Sequence, residues 1–431
     1  MASTFHIRHK FWIFILGGAI AGCGGGGGSP VGNSDQGGEP GQPASSVTNT
    51  YGTTSSHGDF ATWTISGVDV RAVWQKINLT GTVAATFTIQ AICGSASATN
   101  GERACGITAS TTDVAGIPPP KIGNTFKIVE AVGSALFVYT AADADTGMPS
   151  QLHIGVMHDS VGCNVDLSGE YLYTHIGPGS KSLFGLYRVD KNFEAINHAD
   201  FGMHGGSLAE AQLHYLTDYG TSTGEELILN LGCEAGVQRV TFNGDEDRVL
   251  RTKTGTLILD MAAGQGGNIA FDRRQAAPLE DFANKRFTAL SFSDDPAHPY
   301  DLATLNSGSV VTGDDSHFID LSGIGIKESS MSARIEPISD RAIQAKFLPP
   351  ESYLLNSALA QNVPEPRNVP GIYQVTRNPG EGGVILIAMK GANGKVVAFG
   401  SVYAPRKVDC DADNSPPTQL LNAGSFVLIE R

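Results

Sequence analysis

The stretch from Gly371 to Tyr403 constrains the fold of this chain more tightly than any other. It holds three runs rich in β-branched and aromatic residues, Gly371–Arg377, Val384–Lys390 and Lys395–Tyr403. Asn378-Pro379-Gly380-Glu381-Gly382-Gly383 separates the first two, and Gly391-Ala392-Asn393-Gly394 the last two. Asn-Gly favours a tight hairpin because both residues tolerate positive φ. Connections this short join antiparallel neighbours, since a parallel crossover needs a dozen residues or more. The same turn signal recurs at Asn100-Gly101 and Asn243-Gly244.

Runs of the same kind fill the rest of the body. They cover Ala61–Val70, Val73–Leu79, Val83–Ile92, Thr125–Glu130, Ala135–Thr140 and Gln151–Met157. Others span Glu170–Ile176, Leu183–Asp190, Asn192–Phe201, Glu226–Leu231, Val237–Phe242, Gly255–Met261, Arg286–Ser293 and Ala342–Phe347. Several alternate with period two between Gly, Asn, Asp or Pro, the pattern of half-buried strands. Helix signals are confined to Ser207-Leu208-Ala209-Glu210, a capping box opening onto Ala211–Leu216. Strands joined by short turns without intervening helices predict an all-β fold, an antiparallel sandwich or barrel with little helix. No exact repeat of the propeller length is visible. A change of composition at Gly264–Pro278 predicts two β domains, 55–265 and 280–431. Gly-aromatic strand starts, Gly169-Glu170-Tyr171 and Gly371-Ile372-Tyr373, loosely resemble small lipocalin-like barrels. That likeness is one of fold and implies no ligand.

The N-terminus is of another kind. A basic cluster, Arg8-His9-Lys10, precedes an apolar run from Phe11 to Ile20, then the small residues Ala21-Gly22 and Cys23. These are the parts of an export signal, and the run is too short for a span of about 20 residues. Ile20-Ala21-Gly22-Cys23 resembles the lipobox of bacterial lipoproteins, with Ile20 where leucine is commonest. The resemblance covers residues 1–23. It implies cleavage after Gly22 and lipid on the sulfur and new amino group of Cys23. With Gly24 rather than Asp following, it further implies sorting to the outer membrane, on the periplasmic side or at the cell surface. Of the 27 residues from Gly24 to Thr50, 16 are Gly, Ser or Pro and none is aromatic. Such a segment buries too little apolar surface to offset its ordering entropy. Residues 23–54 therefore read as a lipidated cysteine and a flexible tether, with a reach of about 30 Å for the 27-residue segment. Two or more acyl chains anchor stably where one does not.

The whole chain carries 29 Lys+Arg against 43 Asp+Glu, a net of −14. Removing Met1–Gly22 takes away Arg8 and Lys10 and no acid, leaving 27 against 43, a net of −16. A body so acidic is repelled by phosphate backbones, which excludes nucleic acid as a partner. No later segment is apolar for 18 residues, so no membrane helix follows the signal. A transmembrane barrel is the rival, weakened by the anchor and by the lack of a terminal aromatic after Phe426-Val427-Leu428-Ile429-Glu430-Arg431.

Five cysteines remain after Cys23. Cys93 and Cys105 flank an Asn-Gly turn that brings them together as a disulfide. Cys163 and Cys233 each follow a glycine beside a predicted strand, and pairing them leaves Cys410 odd. No C-x-x-C spacing supports zinc. There is no G-x-S-x-G, H-E-x-x-H or S-x-x-K motif, so the sequence names no catalytic residue. Gly177-Pro178-Gly179-Ser180-Lys181-Ser182 lacks the glycine before the lysine that a phosphate loop needs, and reads as a turn. Asp409-Cys410-Asp411-Ala412-Asp413-Asn414 alternates carboxylates as calcium prefers, but lacks the glycine at loop position six and the bidentate acid at twelve. His198 and Asp200 share a strand face, yet His204 is too near in sequence for the usual third metal ligand. His153 and His158-Asp159 read as independent surface or turn residues, and Asp294-Asp295 and Asp314-Asp315 as solvated loops. No cofactor or metal is implied.

Two functional classes follow. The favoured one is an anchored, non-catalytic binding or envelope-interaction module, taking a small apolar ligand or an envelope protein. It predicts a cavity lined by apolar and aromatic residues. The other is an exported hydrolase or other enzyme whose site is assembled from scattered strands, with His198, Asp200 and His204 the first suspects. A purely structural envelope protein would differ from the first in lacking a pocket.

Overall fold

A computed structural model describes residues 47–159, 169–177, 182–189, 196–200, 228–234, 237–242, 245–260, 263–264, 266–292, 300–310, 317–320, 332–339, 368–376, 383–407 and 418–431. They form 24 strands in three consecutive groups of eight. The first group is β1 (Thr48–Ser55), β2 (Phe60–Ser66), β3 (Asp69–Ile77), β4 (Val83–Cys93), β5 (Arg103–Thr112), β6 (Thr125–Ala131), β7 (Ala135–Thr140) and β8 (Gln151–Met157). The second is β9 (Gly169–Ile176), β10 (Ser182–Val189), β11 (Ile196–Asp200), β12 (Ile228–Glu234), β13 (Val237–Phe242), β14 (Asp245–Arg251), β15 (Thr256–Asp260) and β16 (Gly267–Asp272). The third is β17 (Arg286–Phe292), β18 (Tyr300–Val310), β19 (His317–Asp320), β20 (Ser332–Ser339), β21 (Asn368–Thr376), β22 (Gly383–Lys390), β23 (Val396–Lys407) and β24 (Thr418–Glu430).

Each group is an antiparallel meander whose first strand pairs with its last: β1 with β8, β9 with β16, β17 with β24. The first and third groups are closed barrels, whereas the second is a sheet that ends at β11 and β12. The chain is thus all-β and antiparallel, with barrels. Among the described residues the helical turns are two 3-10 segments, Arg273–Gln275 and Leu279–Phe282. The stretch Gly264–Pro278, expected to separate two β domains, holds β16 and the first of these turns on the way to β17. The span 55–265 is itself divided between the first barrel and the second sheet.

Several local expectations change. Ala61–Val70, expected as one strand, is broken after Ser66, and Gly67 turns at φ 61°. β1 takes in Thr48–Thr54, which composition assigns to the tether. Its threonines look like low complexity, yet Thr53 and Thr54 are buried. β5, β14, β16, β18 to β20 and β24 carry too many polar or small residues to read as strands in isolation. The capping box at 207–210 and the run 342–347 lie outside the described residues.

Inside the first barrel, alternate residues point inward as the pleat requires. Trp63, Trp74, Phe87, Ile89, Phe126 and Leu136 build its core, while Asp69 and Arg71 lie exposed on β3. This polarity, apolar within and polar on β3, is the reverse of a water-filled membrane barrel. Cys93 faces Cys105 across the β4–β5 ladder, and the two form the expected disulfide. The third barrel is filled from its leading segment: Phe282 stacks on Phe287 at 5.9 Å and meets Tyr373 edge-on at 5.8 Å.

The outer faces of the three groups share one further core. Phe137, Ile154 and Val156 of the first barrel, Leu250, Ile258 and Phe271 of the sheet, and Ile387, Phe399 and Val427 of the second barrel belong to it. Glycines let the groups approach. A Cβ on Gly52 would sit 2.0 Å from Leu250 Cδ2, and one on Gly267 would sit 1.7 Å from Thr54 Oγ1. β14 carries charge into this contact. The Arg248 guanidinium bonds Asp260 Oδ2 at 3.0 Å, Glu246 Oε1 at 3.1 Å and the Gly81 carbonyl of the first barrel at 2.7 Å. Burial pushes Asp260 up to about 7, against the pull of Arg248.

Removing the Cys93–Cys105 bridge frees a short loop in the unfolded chain, which the chain-entropy relation values at about 3 kcal/mol. Cys93→Ala with Cys105→Ala is expected to lower the stability of the first barrel by that amount. Urea unfolding followed by tryptophan emission measures it, and an unchanged midpoint would contradict the expectation.

Candidate functional site

Trp63 and Trp74 sit on neighbouring strands because β2 and β3 pair with Trp63 opposite Ala72 and Ala61 opposite Trp74. Both indoles point inward, and both N–H groups are directed to one wall of the barrel. Trp63 Nε1 donates to Thr53 Oγ1 at 3.1 Å, and Trp74 Nε1 donates to Asp59 Oδ2 at 2.9 Å. Asp59 also accepts from Gln151 Nε2 at 3.1 Å and from the Ile77 amide at 2.9 Å. Burial pushes the Asp59 carboxyl up, and these three hydrogen bonds oppose it. With their donors so engaged, the indoles present only ring carbon to the opposite side of the barrel.

On that side lies a cavity of about 340 Å³, large enough for a small ligand. Trp63, Trp74, Ile89, Ile107, Phe126 and Met148 wall it. Its mouth is formed by the β5–β6 connection, with Pro120 and Asn124, and the β7–β8 connection, with Asp143 and Asp145. The two connections are tied across the opening. Asn124 Nδ2 donates to Asp143 Oδ2 at 2.8 Å, and Lys121 pairs with Asp145. Met148 is held beneath by a two-way backbone bridge with Asp143, at 2.9 and 3.1 Å. At Asp143 partial desolvation works upward, but hydrogen bonds from the Asp145 and Thr146 backbone and from Thr146 and Asn124 outweigh it and keep the carboxyl low.

His153 is a correction to the sequence reading. It is not a surface residue: its ring is fully buried inside the barrel. Its centroid lies 4.6 Å from Trp74 and 5.6 Å from Trp63, both edge-on. Neither ring nitrogen has a hydrogen-bond partner, nor has Gln151 Oε1 two residues earlier on the same inward face. Desolvation, with a smaller push from His57, lowers His153 to about 3. It is therefore a neutral ring at any ordinary pH.

A second concavity, of about 700 Å³, lies between β2–β4 and β13–β14. Its charges satisfy one another. Arg239 donates twice to Glu246, at 2.8 and 2.9 Å, and Arg248 bonds Glu246, Asp260 and Gly81 as described above. Glu246 is held low, first by its bonds from Arg239. The arrangement joins two sheets rather than awaiting a guest.

Of the residues singled out from sequence, the structure brings together Cys93 and Cys105. Cys233 is disulfide-bonded to a partner outside the described residues, where Cys163 and Cys410 both lie. His198 and Asp200 fall on β11, opposite Tyr187 and Gly185 of β10. Cys23, residues 178–181, His204, Asp294-Asp295, Asp314-Asp315 and Asp409–Asn414 lie outside the described residues. Among the described residues no group of three or more His, Cys, Asp or Glu is placed to hold a metal. Sequence reasoning missed Asp59, Gln151 and the paired role of the tryptophans. The available signal was the i, i+2 spacing of Gln151 and His153 on a strand whose other face is apolar.

No protein family, no curated protein and no solved structure matches this chain. Function therefore has to be argued from geometry.

An imidazole with two unpartnered nitrogens costs stability, about 1–3 kcal/mol per buried group. His153→Leu is expected to leave stability at pH 7.5 unchanged or raised. His153 has a folded pKa below its unfolded value, so the unfolded chain takes up the proton first and wild-type stability falls as pH drops from 6.5 towards 3. The variant lacks this dependence, and its advantage is expected to grow by about 1.4 kcal/mol per pH unit below 6.5. Asp59 and Asp260 titrate with the opposite sign in both proteins and cancel in the difference. Urea unfolding followed by tryptophan emission at pH 7.5 and 5 checks this. A clear loss of stability at pH 7.5 would show that an internal water partners the ring.

Proposed function

We propose that this protein is an exported binding protein, lipid-anchored at Cys23 in a bacterial outer membrane, whose ligand site is the cavity of the first barrel. The observation that carries the reading is the wall of that cavity. At its depth two indoles, a phenyl ring and three aliphatic side chains face it, with the donors of both indoles turned away, while Thr125, Thr140 and the mouth residues Asn124, Asp143 and Asp145 add polar groups to its lining. Such a surface recognises apolar shape, and a buried guest gains about 25 cal/mol for each Å² of apolar area removed from water. The nearest imidazole stands nearly perpendicular to both indoles and stays neutral, and Asp59 is committed to three donors, so the cavity serves binding rather than proton transfer.

The direction of β1 bears on access. It enters the barrel at Thr48, next to the tether, and reaches the mouth end at Ser55, where it pairs with the start of β8. Eight residues at about 3.3 Å each span about 25 Å. The cavity thus opens at the end of the barrel opposite the one that the tether joins.

Trp12 belongs to the signal, so Trp63 and Trp74 are the two fluorophores of the mature chain and both line the site. Titrating the mature-length chain carrying Cys23→Ser with naphthalene, a small neutral apolar probe, is expected to change their emission saturably. Ile107→Phe, which fills the cavity, is expected to weaken the probe at least tenfold. Probe binding that ignores Ile107→Phe would remove the site from this cavity. For the anchor, mass spectrometry of the N-terminal peptide from membranes is expected to find Cys23 first and acylated. An unmodified, soluble chain beginning elsewhere would refute it.

A further inference from the structure

We infer that the ligand of the first barrel is a small amphipathic cation: an apolar, preferably aromatic, body carrying a protonated or quaternary amine. The inference rests on the proposed binding role and names the ligand class. The cavity is chemically polarised along its depth. Its inner wall is ring carbon and aliphatic surface, while its mouth carries Asp143 and Asp145. The cation at this opening, Lys121, is already paired with Asp145. Lys121 also feels Asp143, so two carboxylates meet one cation and one negative charge is left over at the opening, where hydrogen bonds keep Asp143 ionised.

The inner wall points the same way. Indole faces are electron-rich and attract cations, most strongly where water is excluded. Had either Nε1–H pointed into the cavity it would have offered a donor for an anion or carbonyl. Both are instead bonded to Thr53 and Asp59. At the mouth the Asn124 amide donates to Asp143 rather than to a guest. The site thus holds rings and a carboxylate for a cation, and of the side-chain donors that line it the two indoles, Asn124 and Thr140 are bonded within the barrel, leaving the Thr125 hydroxyl. The net charge of −16 on the mature chain adds a long-range field of the same sign, which favours approach of cations.

Three probes of nearly one shape test this: phenethylammonium, 2-phenylethanol and 3-phenylpropionate. Each is titrated by tryptophan emission at pH 7 and low salt into the mature-length Cys23→Ser chain. The cation is expected to bind about tenfold more tightly than the alcohol, and the carboxylate more weakly than either. Asp143→Asn is expected to remove most of the preference for the cation over the alcohol. Added salt is expected to weaken the cation alone, because the carboxylate is exposed and screened. Equal binding of cation and alcohol, or tightest binding of the carboxylate, overturns the ligand class and leaves the apolar site standing. Failure of all three probes, together with naphthalene, overturns the site itself. A cation preference that survives Asp143→Asn also overturns the inference, since the charge would then be read elsewhere.

Discussion

A β-strand at the edge of a sheet leaves a row of backbone donors and acceptors unpaired, and this chain pairs the first strand with the last in all three of its groups, which removes the edges from two of them. β1 closes on β8, β9 on β16 and β17 on β24, across roughly a hundred residues or more in each case. Closing so long a loop has an entropic cost that grows only slowly with length. The satisfied ladder and the enclosed core offset it. In two of the three groups closure is complete and no edge remains. Everything else, from the cavity to the contacts between groups, depends on these closures, because they decide which face of each strand becomes an interior.

Closure also creates a second surface with its own physics. On β7 and β8 the inward residues build the barrel, while Phe137, Ile154 and Val156 face outward and remain apolar. These outward stripes are buried only because the other groups supply matching ones. The contact is kept in register by small residues at Gly52 and Gly267 and by the Arg248–Asp260–Glu246 cluster. Burying ions seldom adds net stability, and its better-supported effect is to penalise wrong arrangements. Arg248 reaches Gly81 of the neighbouring barrel, and in any other arrangement it would be left with the desolvation cost and without this partner.

The barrels differ in what fills them. In the third, Phe282 from the preceding segment packs between Phe287 and Tyr373, and the Tyr373 hydroxyl donates to the Ala277 carbonyl. In the first, no such segment enters among the described residues, and the space between Trp74, Phe126 and Met148 stays open. One architecture thus holds one interior packed by the chain itself and another with room for a guest. The asymmetry follows from sequence outside the strands, chiefly the 3-10 turn Leu279–Phe282 in one case and the cross-tied connections at Asn124 and Asp143 in the other.

What the sequence determined by itself was local. Alternation and Asn-Gly turns set the strand type and the antiparallel sense. The spacing of Cys93 and Cys105 about a turn was enough for their bridge, because a hairpin is a short-range object. The strands that escaped notice show where this reach ends. β14 reads Asp245-Glu246-Asp247-Arg248, which looks like a solvated turn until Asp260 and Gly81 arrive to pair its charges. His153 looks like an exposed histidine until closure of β8 on β1 turns it between two indoles. Only the tertiary structure could decide the triple closure, the shared outer core and the cavity. Each depends on residues far apart along the chain, and the period of a strand tells which residues share a face but not which face will be inside.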